Sequence, residues 1–322
     1  MMRARALMTL LTVLLLPFAV RAIAAEYPDK PITFVVPFAA GSATDQLARA
    51  IGQEVTAQTK QPVIVDNKGG ASGFIGAQQV AKAPPDGYTV FITTNTTHAA
   101  NEHLFKSIPY DPVKDFAPVT GLAKGGQVLV VAPAFPAKSV QELIAYAKTN
   151  PGKVSFGSGS SSSRIAGELF QQMAAVKLLH VPYKSNPQAV SDLLGGQVSM
   201  MITDVATGLP QVRAGKLRAL GVSGTKRISL LPDVPTIAEA GLPGYEMSFW
   251  FAAYVPAKTP TAVIQRLQVL LSNAVGGQAA KSLFDSTGLE PFTTTPDELA
   301  KFQAAESQKW ARIIKAAGIE PE

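Results

Sequence analysis

Cysteine is absent from the 322-residue chain. That excludes disulfides, thiol catalysis, thiolate metal sites and lipid attachment through a processed cysteine. Histidine occurs three times, as His98, His103 and His180. His98 and His103 are five residues apart, about 140° around a helix, so they do not share a face as a metal pair does. No metal and no cofactor is expected. Charged residues make up only 16% of the chain, and its net charge is +6. There is no basic block with interleaved aromatics, so nucleic acid is not an expected partner. The G-x-S-x-G nucleophile elbow and the GxxxxGK phosphate loop are both missing. Beyond the first residues, no stretch is apolar enough to span a bilayer.

What is present begins with a compartment signal. Arg3 and Arg5 precede a nearly continuous apolar run from Leu7 to Val20, and Ala22-Ile23-Ala24 has the small-x-small form of a cleavage site. Residues 1–25 read as a secretory signal peptide. The run is short of the ~20 residues a spanning helix needs, and Pro17 interrupts it. The mature chain is therefore expected to be soluble and exported. Removing Arg3, Arg5 and Arg21 leaves a charge of about +3, too mild to argue a partner from.

The mature chain alternates strand and helix patterns. Ile32 to Val36 is a continuous apolar strand, and Leu47, Ile51 and Val55 form the buried stripe of the helix after it. "PVIVD" and "YTVFITT" are the next strands, separated by the Gly-rich loop Asn67 to Ala77 and a helix to Lys82. The pattern restarts near Gln127 with "QVLVVA". Strands "VSFG", "LLHVPY", "SMMIT" and "LRALGV" follow, each with a helix or turn after it. Ser139 with Glu142, and Thr295 with Glu298, are capping boxes. Leu231 to Tyr245 is turn-rich, and Met247 to Val255 is a long apolar strand able to carry the chain back to the first lobe. The fold class expected is α/β with two lobes of mixed or parallel sheet joined by crossing strands. Residues 26–125 with 249–322 would form one lobe, and 126–248 the other.

Two strand-to-helix junctions carry the functional reading: "ITFVVPFAAGSATDQLARAI" from Ile32 and "KVSFGSGSSSSRIAGELF" from Lys153. Each runs an apolar strand into small and hydroxyl residues that start a helix. Such a junction offers main-chain N–H groups at the positive helix end, an anion site with little need of a cationic side chain. Candidate contacts in the first are Phe38, Ala39, Ala40, Gly41, Ser42 and Asp45. Asp45 fits helix capping as well as ligand contact. The second offers Gly159, the serines Ser160, Ser161, Ser162 and Ser163, and Arg164, which either pairs with an acidic ligand or points to solvent. Ligands in such sheets sit beyond the carboxyl ends of the strands. That adds Ala71 and Ser72, Thr96, and Thr203 with Asp204. Phe249, Trp250 and Phe251 read as core, with one of them free to face a cleft.

The strings "YPDKPITFVVPFAAGSATD", "GGASGFIGA", "DGYTV", "THAANEHLF", "GSSSSRIAGELF", "HVPYK", "DLLGGQV", "GKLRALGVSGTKR" and "LPDVPTIAEAGLPGYE", in this order, resemble the Bug family of periplasmic receptors. These are the solute-binding components of tripartite tricarboxylate transporters. The resemblance covers essentially the whole mature chain. It implies a type II periplasmic-binding-protein fold that closes on a small organic carboxylate: a di- or tricarboxylate, an acidic amino acid or an aromatic acid. It also implies contact through amides, hydroxyls and waters, delivery to membrane permease subunits, a monomer and no enzymatic activity. Carried over by position, the contacts fall on Phe38 to Ser42, Ser160 to Ser163 and Asp204. The chain departs from the family pattern at Ser42 and Ser185, where glycine is usual, and at Arg164, where histidine or another polar residue is usual. A sensing subunit, or a hydrolase built on the Ser-rich loop, are the alternative readings.

Overall fold

The computed structural model describes residues 27–322, so the expected signal peptide lies outside the described residues. The first half of the chain runs β1 (Ile32–Val36), α1 (Ala43–Thr59), β2 (Val63–Asn67), α2 (Phe74–Ala81), β3 (Thr89–Thr94), α3 (Asn101–Leu104) and β4 (Phe116–Val131). Next come α4 (Val140–Thr149), β5 (Ser155–Ser158), α5 (Ser161–Ala174), β6 (Leu179–Pro182), α6 (Asn186–Leu194), β7 (Met200–Asp204), α7 (Val205–Arg213) and β8 (Arg218–Val222). The chain then returns through β9 (Ser248–Pro256) to α8 (Thr261–Val275), α9 (Gln278–Thr287), β10 (Glu290–Pro291) and α10 (Pro296–Ala316).

The strands make two sheets that share β4. In the first, the order is β2-β1-β3-β9-β4, with β10 also on β4. β1 is parallel to both β2 and β3, whereas β9 runs antiparallel to β3 and β4. In the second, β4 lies between β8 and β7, both antiparallel to it, and β7-β5-β6 continues in parallel. The fold is therefore mixed α/β with two lobes, as the alternating pattern predicts. Of the strands in parallel pairing, β1, β3, β5 and β7 are largely buried, which is why they read as apolar runs, whereas the edge strands β2 and β6 are half exposed and show Ile64 and Leu179 to solvent.

One element is longer than its pattern. The sequence places a strand start at Gln127, but β4 begins at Phe116. Pro118, Gly121, Gly125 and Gly126 hide its first half. The register against β9 slips between Pro118 and Thr120 and again between Gly121 and Ala123, the irregularities that let proline sit in a strand. Glycine at 121 and 125 answers a close approach. A Cβ at Gly121 would stand 2.6 Å from the Phe292 ring, and one at Gly125 would stand 2.7 Å from Leu289.

The capping signals are seen in atoms. Thr295 and Glu298 form a reciprocal capping box at α10. At α4, Ser139 Oγ accepts from Glu142 N at 3.1 Å, while Glu142 reaches one residue further back and accepts from Lys138 N at 2.7 Å.

His98 is core. It is fully buried in a π-turn (Thr96–Ala100), stacks on Tyr254 of β9 with 3.9 Å between ring centroids, and its Nδ1 pairs with Thr97 Oγ1 at 2.9 Å. Burial pushes its pKa down to about 3. In the unfolded chain the ring takes its proton near pH 6.5, while the folded protein refuses it until about pH 3. The stability this group contributes is therefore complete above about pH 6.5 and is lost as pH falls toward 3, by about 1.4 kcal/mol per pH unit. Urea unfolding across that window will show the decline, and His98→Phe will make it shallower; an unchanged slope in the variant contradicts this role.

Candidate functional site

The carboxyl ends of β1, β3, β5 and β7 converge where β4 and β9 pass between the lobes. There they enclose a cavity of about 30 Å³, room for about two ordered waters. Its wall takes Phe38, Ser42, Ala43 and Thr44 from the β1–α1 junction, and Gly159, Ser160 and Ser162 from the β5–α5 junction. Thr94, Gln127, Phe249 and Phe251 come from the strands, and Asn186 and Asp204 complete it. The two junctions singled out in the sequence thus face one space.

Each junction is built as a helix cap. Ser42 Oγ accepts from Asp45 N at 3.3 Å and Ser42 O from Gln46 N at 2.9 Å, so the amides of Ala43 and Thr44 have no acceptor within the helix. Ser160 repeats the arrangement on α5: its Oγ accepts from Ser163 N at 3.2 Å and its carbonyl from Arg164 N at 3.0 Å, leaving the amides of Ser161 and Ser162. Both helices are long, 17 and 14 residues, and their dipoles favour negative charge at these ends. No lysine or arginine lines the cavity.

A network in the second lobe holds its own junction in place. Gly159 N donates to Asn186 Oδ1 at 3.0 Å, Asn186 Nδ2 donates to Asp204 Oδ2 at 2.7 Å, and Asp204 Oδ1 accepts from Thr207 N at 2.8 Å, capping α7. Asn186 is invisible to a search for charged or nucleophilic residues. Its signal is positional, because it begins α6 at a further strand-to-helix junction, "VPYKSNP".

The remaining sequence candidates support the wall from outside the lining. Asp45 braces the first loop: it accepts from Gly41 N at 2.9 Å, Arg49 Nε at 3.1 Å and Asn67 Nδ2 at 3.0 Å. Burial works to raise its pKa, but these bonds outweigh burial and hold the carboxyl below its ordinary value. Ala39, Ala40 and Gly41 belong to that braced loop and do not reach the cavity. Ala71 and Ser72 form a turn with φ of 46° and 51°, and Ser72 O accepts from Asn101 Nδ2 at 2.9 Å. Thr96 is buried in the π-turn, and Thr203 is buried one residue short of the lining. Ser163 Oγ donates to Ile202 O at 2.5 Å, tying α5 to β7.

Two residues of α5 reach the first lobe instead. Ser161 Oγ donates to Asn101 Oδ1 at 2.7 Å. Arg164 lies outside the cavity lining and pairs with Glu322 at 2.6 Å. Glu322 is itself held to the first lobe by main-chain bonds to Leu104 and Lys106. The lobes are closed on one another in this structure.

A serine–histidine pair exists: Ser158 Oγ and His180 Nε2 are 2.7 Å apart. Burial, then the nearby Arg164, lower the His180 pKa to about 4. His180 stacks on Phe156. Among the described residues it has no carboxylate hydrogen-bond partner.

Gly159 is the tightest point of the wall. A Cβ there would stand 1.9 Å from Ser185 C and 2.1 Å from Asn186 N, both main-chain atoms. Gly159→Ala is expected to displace the start of α6, break the bond to Asn186, and cost about 1–3 kcal/mol of stability with it. A thermal midpoint equal to that of the unsubstituted protein contradicts this packing.

Comparison with known proteins follows the same outline. The sequence profile described as "Tripartite tricarboxylate transporter family receptor" matches residues 47–319. Among solved structures, Rpa4515 of R. palustris, in complex with adipate, is 36% identical, with a TM-score of 0.89 over 92% of this chain and all of that one. The periplasmic binding protein BugD is 32% identical, with a TM-score of 0.88 over the same shares. MatC of Rhodopseudomonas palustris, with bound malate, is 30% identical, with a TM-score of 0.84 over 89% of this chain and all of that one.

Proposed function

The chain belongs to the tripartite tricarboxylate transporter receptor family, a family of solute-binding proteins rather than enzymes, and from that premise we propose that it captures a small organic carboxylate between its lobes and hands it to the membrane subunits of such a transporter. The hydrolase reading of the Ser-rich loop falls with that membership. Export to the periplasm through residues 1–25 belongs to the proposal. Among the described residues, no helix is long and apolar enough to cross a membrane.

One observation carries the proposal. Two capped helix starts on opposite sides of one cavity leave amide and hydroxyl donors there, and no cationic side chain lines it. Donors without a formal charge suit a carboxylate that must be released again. Several such bonds in a desolvated cleft are enough for a micromolar Kd, about −8 kcal/mol. Adipate in Rpa4515 and malate in MatC are ligands of the chemistry this lining accepts. A cavity of about 30 Å³ is too small for any of these acids, so the lobes open to admit the ligand and close around it.

Thermal-shift screening of organic acids followed by calorimetry tests this. A carboxylate is expected to raise the melting temperature. Ser160→Ala with Ser162→Ala is expected to weaken its binding at least fivefold while the protein stays folded. A screen positive only for sugars or cations, or unchanged affinity in the double variant, overturns the proposal.

A further inference from the structure

Of the residues lining the cavity, Gln127 alone has a buried polar atom without a hydrogen-bond partner: its side-chain Oε1. The residue is 1% exposed. Its main chain is pinned to one residue by two bonds, since Gln127 N donates to Ser223 Oγ at 2.8 Å and Gln127 O accepts from Ser223 N at 2.8 Å. The side chain therefore cannot escape to solvent by a local shift of β4. The other amide side chain and the carboxylate of the lining are already engaged within the protein, and so is Thr94. Asn186 bonds Gly159 and Asp204, Asp204 bonds Asn186 and Thr207, and Thr94 Oγ1 accepts from Thr96 N at 3.1 Å. An orphaned buried amide oxygen is costly, about 1–3 kcal/mol. Because Gln127 stands at the wall of the binding cavity, a ligand is the partner within its reach.

The chemistry of that ligand group follows from its neighbours. A carboxylate cannot donate to an amide oxygen. It would also stand near Asp204, which is opposite Gln127 in the β4–β7 register. The Asp204 charge is already balanced by two donors and the start of α7, so no cation is called for. A hydroxyl donates and accepts at once, and so satisfies a carboxamide at either of its ends. We infer that Gln127 is a specificity-determining residue which selects a carboxylate carrying a hydroxyl on its carbon skeleton over the same acid without it. This rests on the carboxylate-binding reading above and narrows it.

The test is calorimetry with matched series: succinate, malate and aspartate; glutarate, 2-hydroxyglutarate, 3-hydroxyglutarate and glutamate; tricarballylate and citrate; phenylacetate and mandelate. The protein is expected to bind a hydroxy acid about tenfold or more tightly than its deoxy partner. Gln127→Met, close in volume, is expected to bring that ratio below about threefold by weakening the hydroxy acid more than the deoxy acid. Its melting temperature without ligand should be equal or higher, because the variant removes an orphaned polar atom. Equal affinity within the pairs, tighter binding of the amino analogue, or a preference that survives in Gln127→Met overturns the inference and leaves the carboxylate reading standing. Binding of no acid in any series overturns both.

Discussion

The main-chain hydrogen bonds of β4 are the constraint on which the rest of the molecule depends. Along one continuous strand the partner changes within a single residue step. Gly126 pairs with Ser248 of β9, and Gln127 pairs with Asp204 of β7. The strand therefore belongs to both lobes, and the floor of the cavity is assembled around that step. Gly125 pairs with Phe249, and Thr94 of β3 pairs with Phe251. A sheet ladder tolerates little slip when both faces are packed, so these lining residues are fixed relative to each other before any ligand arrives. The helix starts that supply the donors sit on either side of this floor, one per lobe.

Closure adds contacts that lie away from the cavity. The Ser161–Asn101 bond and the Arg164–Glu322 pair both link α5 of the second lobe to the first. They bear on how the lobes stay together, whereas Gly159, Ser160 and Ser162, close by in the same run, line the cavity. One short stretch of sequence thus divides into residues that meet the ligand space and residues that meet the opposite lobe. Helical geometry explains the division, since successive residues of a helix point about 100° apart.

Much of this was legible in the sequence because it is local. The β1–α1 and β5–α5 junctions announce themselves as an apolar run, a small polar turn and a periodic helix, and Ser42 and Ser160 cap as that pattern predicts. What escaped is non-local. Gln127 looks like a polar residue before an apolar strand, and only the crossing of β4 buries it at the wall. The first half of β4 was hidden because its glycines answer Phe292 and Leu289, residues far along the chain. Arg164 offered ligand or solvent, and its partner turned out to be a residue 158 positions away. Asp45 was open between cap and ligand; three donors from its own lobe decided for bracing the loop.

The central claim is that an anion is held here by uncharged donors at two helix starts. A crystal structure with a bound carboxylate tests it most directly. The account predicts ligand oxygens within hydrogen-bond reach of the amides of Ala43 or Thr44 on one side and Ser161 or Ser162 on the other, with no lysine or arginine side chain in contact. A carboxylate clamped by Arg164 or any other cationic side chain, or bound away from both helix starts, would contradict it.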